Sequence, residues 1–137
     1  MSSCIFCDII NGDKPSYRIF ENDKTLAFLD IFPIAKGHSL VIPKVHSKTL
    51  YEIKAEDIAA VGVTVSKVAR ALKKVLKCDG INIYQGNERA ALQEVMHVHF
   101  HVIPRWFNDS IVLMAERTPL EEDLEFISAL SKTLNHD

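Results

Sequence analysis

Three histidines stand at alternate positions in the second half of the chain: His97, His99 and His101, in the run MHVHFHVIP. In an extended segment alternate residues share a face, so three imidazoles would stand roughly 6.6 Å apart along one side. Val98, Phe100 and Val102 would take the other side, where a helix can cover them. One histidine in a strand is an ordinary polar side chain, but three on one face make sense only if they meet a ligand. Two chemistries are open. Neutral imidazoles are good zinc ligands. An imidazole that titrates near neutrality can instead act as a nucleophile, while its neighbours donate hydrogen bonds to a phosphate. Spacing alone does not choose between them. A second pair, Cys4 and Cys7, has the C-x-x-C spacing of the two-thiolate half of a tetrahedral zinc site. A redox dithiol is the rival reading, but the βαβ context of such motifs is missing here.

The elements that must position these residues change period along the chain. Tyr17–Glu21, Thr25–Ile31 and His38–Pro43 are short β-like runs separated by Asn22-Asp23 and Lys36-Gly37, which predicts an antiparallel meander. Ile58, Val61, Val65, Val68, Leu72 and Val75 then fall at helical spacing. Glu56 and Asp57 open that helix, Lys73, Lys74 and Lys77 close it, and Gly80 lies just beyond. Two further strands are expected at Ile81–Gln85 and Met96–Ile103, joined by the polar loop Gly86–Glu94. Pro104, which cannot donate to a ladder, should end the second. A last helix is expected over 118–134, with Thr118 and Glu121 as a capping box and Pro119 in its first turn. The sum is α+β: an antiparallel sheet of about five strands with one long helix and a C-terminal helix.

With 137 residues, the chain has the length of one domain and needs no disulfide framework. Three cysteines, an odd number, fit a reducing, cytoplasmic compartment. Sixteen basic residues against eighteen acidic ones leave a net charge of −2, which excludes a general electrostatic affinity for nucleic acid or anionic membrane. An anionic ligand must be met by a local site. The N-terminal run does not read as a signal peptide, and no run is long enough to span a membrane.

H-V-H-F-H-V-I, preceded by Gln93 and followed by Pro104-Arg105, resembles the signature of the histidine-triad (HIT) family of nucleotide hydrolases and transferases. CIFCDII, LAFLDIFP and KGHSLVIPKVH resemble further family segments in the same order, so the likeness covers roughly residues 4–106. Residues 107–137 lie beyond the shared motifs as a C-terminal extension. The resemblance implies that His99 attacks the α-phosphorus of a purine nucleotide, a phosphoramidate or a dinucleoside polyphosphate, to form a nucleotidyl-histidine. It implies that His101 hydrogen-bonds the phosphate, that Gln93 belongs to the phosphate-binding loop, and that Asp30 holds the ribose hydroxyls. It also implies that Asn87 lies close to the polar position that contacts the phosphate or the leaving group, so that these residues and His99 all bind nucleotide. A nucleotide-binding regulatory module with weak turnover is the alternative. In the branch that begins C-x-x-C, Cys4, Cys7, His46 and His97 would enclose a structural zinc, with no organic cofactor, and the family forms homodimers. His38 is expected to serve the sheet by hydrogen bonding. Where the family carries glycine before the loop glutamine and after the asparagine, this chain has Leu92 and Glu88; the loop length is preserved.

Overall fold

In the computed structural model, which describes residues 3–113, 115–121 and 123–136, five strands form one antiparallel sheet in the order β1-β2-β3-β5-β4. The strands are β1 (Arg18–Glu21), β2 (Thr25–Leu29), β3 (Ser39–Pro43), β4 (Gly80–Tyr84) and β5 (Phe100–Arg105). Three helices accompany them: α1 (Ile5–Asn11), α2 (Ala55–Leu76) and α3 (Leu124–Asn135). The strands alternate between two apolar layers, as their period of two requires. Ala27, Val41 and Val102 face α2 and pack on Val61, Val65 and Val68. Leu26, Phe28, Leu40 and Ile42 face the other way and are covered by Phe6 and Ile9 of α1. The Thr25 and Thr64 hydroxyls, 2.7 Å apart, pin α2 to the sheet where an apolar pair would leave no directional contact.

Several expectations need correction. The fifth strand is shifted: it runs Phe100–Arg105 rather than Met96–Ile103. Its first histidines are pulled out of the ladder because the Val98 N–H bonds the Ser47 carbonyl and the His97 N–H turns back to that of Val95. Pro104 does not end the strand. The Arg105 carbonyl bonds Asp79 on the β4 side, so the missing Pro104 N–H would point the other way, where pairing with β3 stops at Val102. Gly80 opens β4, and Lys77 itself closes α2 in a left-handed conformation (φ 52°). The last helix begins at Leu124, capped by Asp123, whose carboxylate accepts from the Phe126 N–H. Thr118–Glu121 is irregular. None of the residues of α3 is buried in this chain.

The helix α1 was not expected, although Ile5, Phe6, Ile9 and Ile10 carry the stripe that announces it. Cys4 caps its start, accepting from the Cys7 N–H, and Gly12 ends it at φ 83°. The helix thereby turns a C-x-x-C pair and a phenylalanine toward the three histidines.

Candidate functional site

Two rings of the triad, His97 and His99, have their protons placed by the main chain. The His97 Nε2 lies 2.8 Å from the Pro43 carbonyl, which only accepts, so the hydrogen is on Nε2 and the Nδ1 lone pair is free. The order is reversed at His99. Its Nδ1 lies 2.7 Å from the His97 carbonyl, so Nδ1 carries the hydrogen and the lone pair is on Nε2. Residues two apart therefore present opposite nitrogens for opposite uses. Both rings are buried, and loss of hydration lowers both pKa values, that of His97 to about 4, so both are neutral near pH 7. Phe6 packs its ring edge-on against each, at 5.9 Å from His97 and 5.1 Å from His99.

The free His97 Nδ1 looks into a cluster of four ligand atoms. It stands 3.4 Å from Cys4 Sγ, 3.6 Å from Cys7 Sγ and 3.2 Å from His46 Nδ1, and Cys7 Sγ stands 3.3 Å from His46 Nδ1. A tetrahedron around zinc, with bonds of about 2.0–2.3 Å, has edges of roughly 3.3–3.8 Å, so these spacings fit an ion at the centre. Burial and the neighbouring Cys4 push the Cys7 thiol up to about 11, and a divalent cation is what would reverse that. A Cys₂His₂ set of this kind can hold a metal.

A second cluster, Asp30, His38 and His101, is as tight but differently built. The Ile34 N–H donates to His38 Nδ1 at 3.0 Å, so the His38 hydrogen is on Nε2. That N–H points to His101 Nδ1 at 2.9 Å, with an Asp30 carboxylate oxygen 3.5 Å away. His101 must then carry its own hydrogen on Nε2. A nitrogen pair at 2.9 Å is too close for the edge of a metal tetrahedron and right for a hydrogen bond. Desolvation, and then the neighbouring His99 and His38, lower the His101 pKa to about 4, which keeps the chain neutral. His38 is buried and does more than serve the sheet: it fixes which nitrogen of His101 donates.

These parts meet in one cavity of about 610 Å³ that Asp30, His38, His99 and His101 line together with apolar side chains such as Ile5, Phe28 and Ile31. Asp30 is not a bare acceptor there, since its Oδ1 also receives the Phe32 N–H at 2.9 Å. Gln93 and Asn87 do not line it. The buried Gln93 accepts the Glu88 N–H at 2.6 Å and donates to the Lys48 and Val95 carbonyls. Asn87 accepts the Leu50 N–H and exchanges hydrogen bonds with Gln85. Both amides build the loop around the cavity.

A HIT domain matches residues 11–108. The chain belongs to the HIT family. An adenosine 5'-monophosphoramidase from Schizosaccharomyces pombe is 46% identical over 103 residues, 75% of this chain and 74% of that protein. The crystal structure of a HIT family member from Bacillus subtilis has a TM-score of 0.88 at 36% identity and covers 98% of this chain and 96% of its own. That of a zinc-bound histidine triad family protein from Mycobacterium smegmatis has a TM-score of 0.78 at 37% identity, over 98% of both chains.

The departures from the HIT pattern in the loop fall on two strained residues. Leu92 is left-handed (φ 69°, ψ 24°), and Glu88 lies at φ 72°, ψ 165°, a region that is almost exclusively glycine's. The loop thus keeps glycine-type backbone without the glycines. The Gln93 clamp holds it, together with the Tyr84 hydroxyl, which donates to the Ala91 carbonyl at 3.0 Å. Gly86 is needed beneath, because a Cβ there would come within 2.3 Å of that same carbonyl.

Proposed function

We propose that this HIT protein is a hydrolase that releases a nucleoside monophosphate from a substituent on its α-phosphate, through a nucleotidyl group carried on His99. The observation that carries the reading is the His99 ring, its Nδ1–H tied to a main-chain carbonyl and its Nε2 lone pair left for the cavity. The Nε2 lone pair forms a bond to phosphorus as the bond to the leaving group breaks, and the departing atom takes a proton from water at the cavity mouth. A second water then adds to phosphorus, gives up its proton to the hydroxide left by the first, and the P–N bond breaks to return its electron pair to His99. A neutral nucleophile avoids the repulsion that a carboxylate or thiolate would meet at a phosphate. The His101 Nε2–H, held outward by His38, supplies a hydrogen bond to a phosphoryl oxygen. Asp30 accepts from the two ribose hydroxyls, the apolar wall takes a purine, and Gln93 and Asn87 keep the loop in shape. Kinship with a monophosphoramidase supports a phosphorus–nitrogen bond as the one cleaved.

The Cys₂His₂ set is the place for a structural zinc, in line with the zinc-bound relative. With four protein ligands such an ion has no open position and ties α1 to the segment before β5. The uncovered apolar stripe of α3, including Leu124, Ile127 and Leu134, supports a homodimer that buries it.

Replacing His99 with alanine tests the reading. Turnover of adenosine 5'-phosphoramidate should fall by about 10⁴ or more, as removal of the nucleophile does in enzymes that work through a covalent intermediate. Nucleotide affinity should stay within about tenfold, a change of no more than ~1.4 kcal/mol. A folded His99→Ala protein with near-normal turnover ends the assignment. Wild-type protein that binds nucleotide without turnover would point instead to a regulatory binding module.

A further inference from the structure

The cavity that holds His99 adjoins a second hollow of about 310 Å³, and the two share the side chains of Ile5, Glu94 and Val95. Glu94 is exposed at this seam, and among the described residues no ion pair engages it. Its backbone is firmly placed. Gln93 on one side is clamped, and the Val95 carbonyl on the other accepts from both the Gln93 amide and the His97 N–H.

The two acids of the cavity keep different company: Asp30 clusters with His38 and His101, whereas Glu94 also lines the second hollow, beside Cys4 and His46. With a ribose at Asp30 and phosphorus at His99, the second hollow, with Glu94 at the seam, extends the cavity for a departing group. Among the described residues no arginine lines the cavity, and Lys14 is its one lysine. Lys48 lines the second hollow but not the cavity. Nothing here resembles the cluster of cations that proteins use to cradle a chain of phosphates.

We propose that Glu94 selects the leaving group, matching an amine that carries a further positive charge and disfavouring an anionic or polyphosphate one. This rests on the reading of His99 as nucleophile and names the class of compound that site takes. The chemistry is the P–N cleavage written above. The carboxylate of Glu94 takes no proton and forms no bond; it sets which substituent rests comfortably across the seam.

Three adenosine 5'-phosphoramidates of similar length decide it, made from 1,3-diaminopropane, butylamine and β-alanine, so that the far end is cationic, neutral or anionic. Diadenosine triphosphate serves as the polyphosphate probe. In the wild type, kcat/KM should favour the cationic over the anionic compound by about tenfold or more, the size of one charge interaction near a protein surface. Diadenosine triphosphate should fall below the neutral compound. The ratio should shrink to within about threefold in Glu94→Gln and invert in Glu94→Lys, as an ion pair replaced by its neutral or opposite counterpart requires. Taking ratios within each variant removes any general loss of rate. A flat ranking in the wild type, or a ranking that survives Glu94→Gln, overturns the role of Glu94. If no compound turns over at all, the hydrolase reading is what fails. Calorimetric affinities for the same three compounds then decide the role of Glu94 alone: a cationic preference lost in Glu94→Gln supports it, and equal affinities overturn it.

Discussion

Two clusters of titratable side chains lie a few residues apart in this protein and have comparable compactness, yet they are built for different occupants. At the cysteine end, the Nδ1 lone pair of His97 converges with two thiols and the His46 Nδ1 at 3.2–3.6 Å. In the cavity, a chain of hydrogen bonds runs from the Ile34 N–H through His38 to His101, so each close nitrogen pair already has its proton. The difference teaches that a count of histidines and acids within reach says little about metal binding. What decides is which nitrogen each ring has left after the main chain has taken the other.

The largest effect that separates the two ends is loss of the metal cluster. His97→Ala should abolish tight metal binding, read by elemental analysis, and lower Tm by about ten degrees, as loss of a few kcal/mol does in a domain of this size. The surviving folded protein should keep measurable turnover, the reverse of the His99→Ala pattern. A variant that keeps both its metal and its Tm removes His97 from the cysteine end.

Acid sharpens the comparison. His101 titrates at about 4 when folded, against an ordinary value of 6.5. The unfolded chain therefore takes up a proton below pH 6.5 that the folded protein refuses until about pH 4. Stability is complete above that window and falls as pH drops through it. His101→Gln cannot titrate, so its Tm should decline less between pH 6.5 and 4 than that of the wild type, measured with metal bound in both. Parallel curves would show that the cavity carries no such linkage.

The smallest effect lies in the loop. Glu88→Gly relieves a backbone conformation that costs a side-chain-bearing residue about 1–3 kcal/mol, less the entropy that glycine adds to the unfolded state. A net gain of about 1 kcal/mol in denaturant unfolding is expected. A loss instead would mean that Glu88 makes contacts worth more than its strain.

How far these features are legible in the sequence depends on what enforces them. The meander and α2 could be read because alternation and a helical stripe are the direct imprint of burial on two layers, as at Leu26–Phe28 and Val61–Val68. The metal-ligand set followed from family resemblance, and the structure brings its four members together. The opposed tautomers of His97 and His99 were not legible, because they depend on the carbonyls of Pro43 and His97, groups that every sequence possesses. The start of α3 departs from its local signal for a related reason. Thr118, Pro119 and Glu121 form a good local signal, but no burial there enforces it, and Asp123 supplies a working cap instead. The role of His38 needed Ile34, four residues away and without any mark in composition.

The carbonyls that set the protons of His97 and His99 also bear on how the site withstands mutation. In a serine protease triad, the orienting group is a carboxylate side chain that one substitution deletes. Here no single codon change can remove the hydrogen-bond acceptor of His99, since whatever residue stands at position 97 still contributes its carbonyl. Inheritance of the His99 tautomer is thus guaranteed by the backbone path. The proton on His101 has no such protection: it depends on the His38 side chain, and drift at that one position would leave the His99 tautomer intact and the His101 N–H undirected.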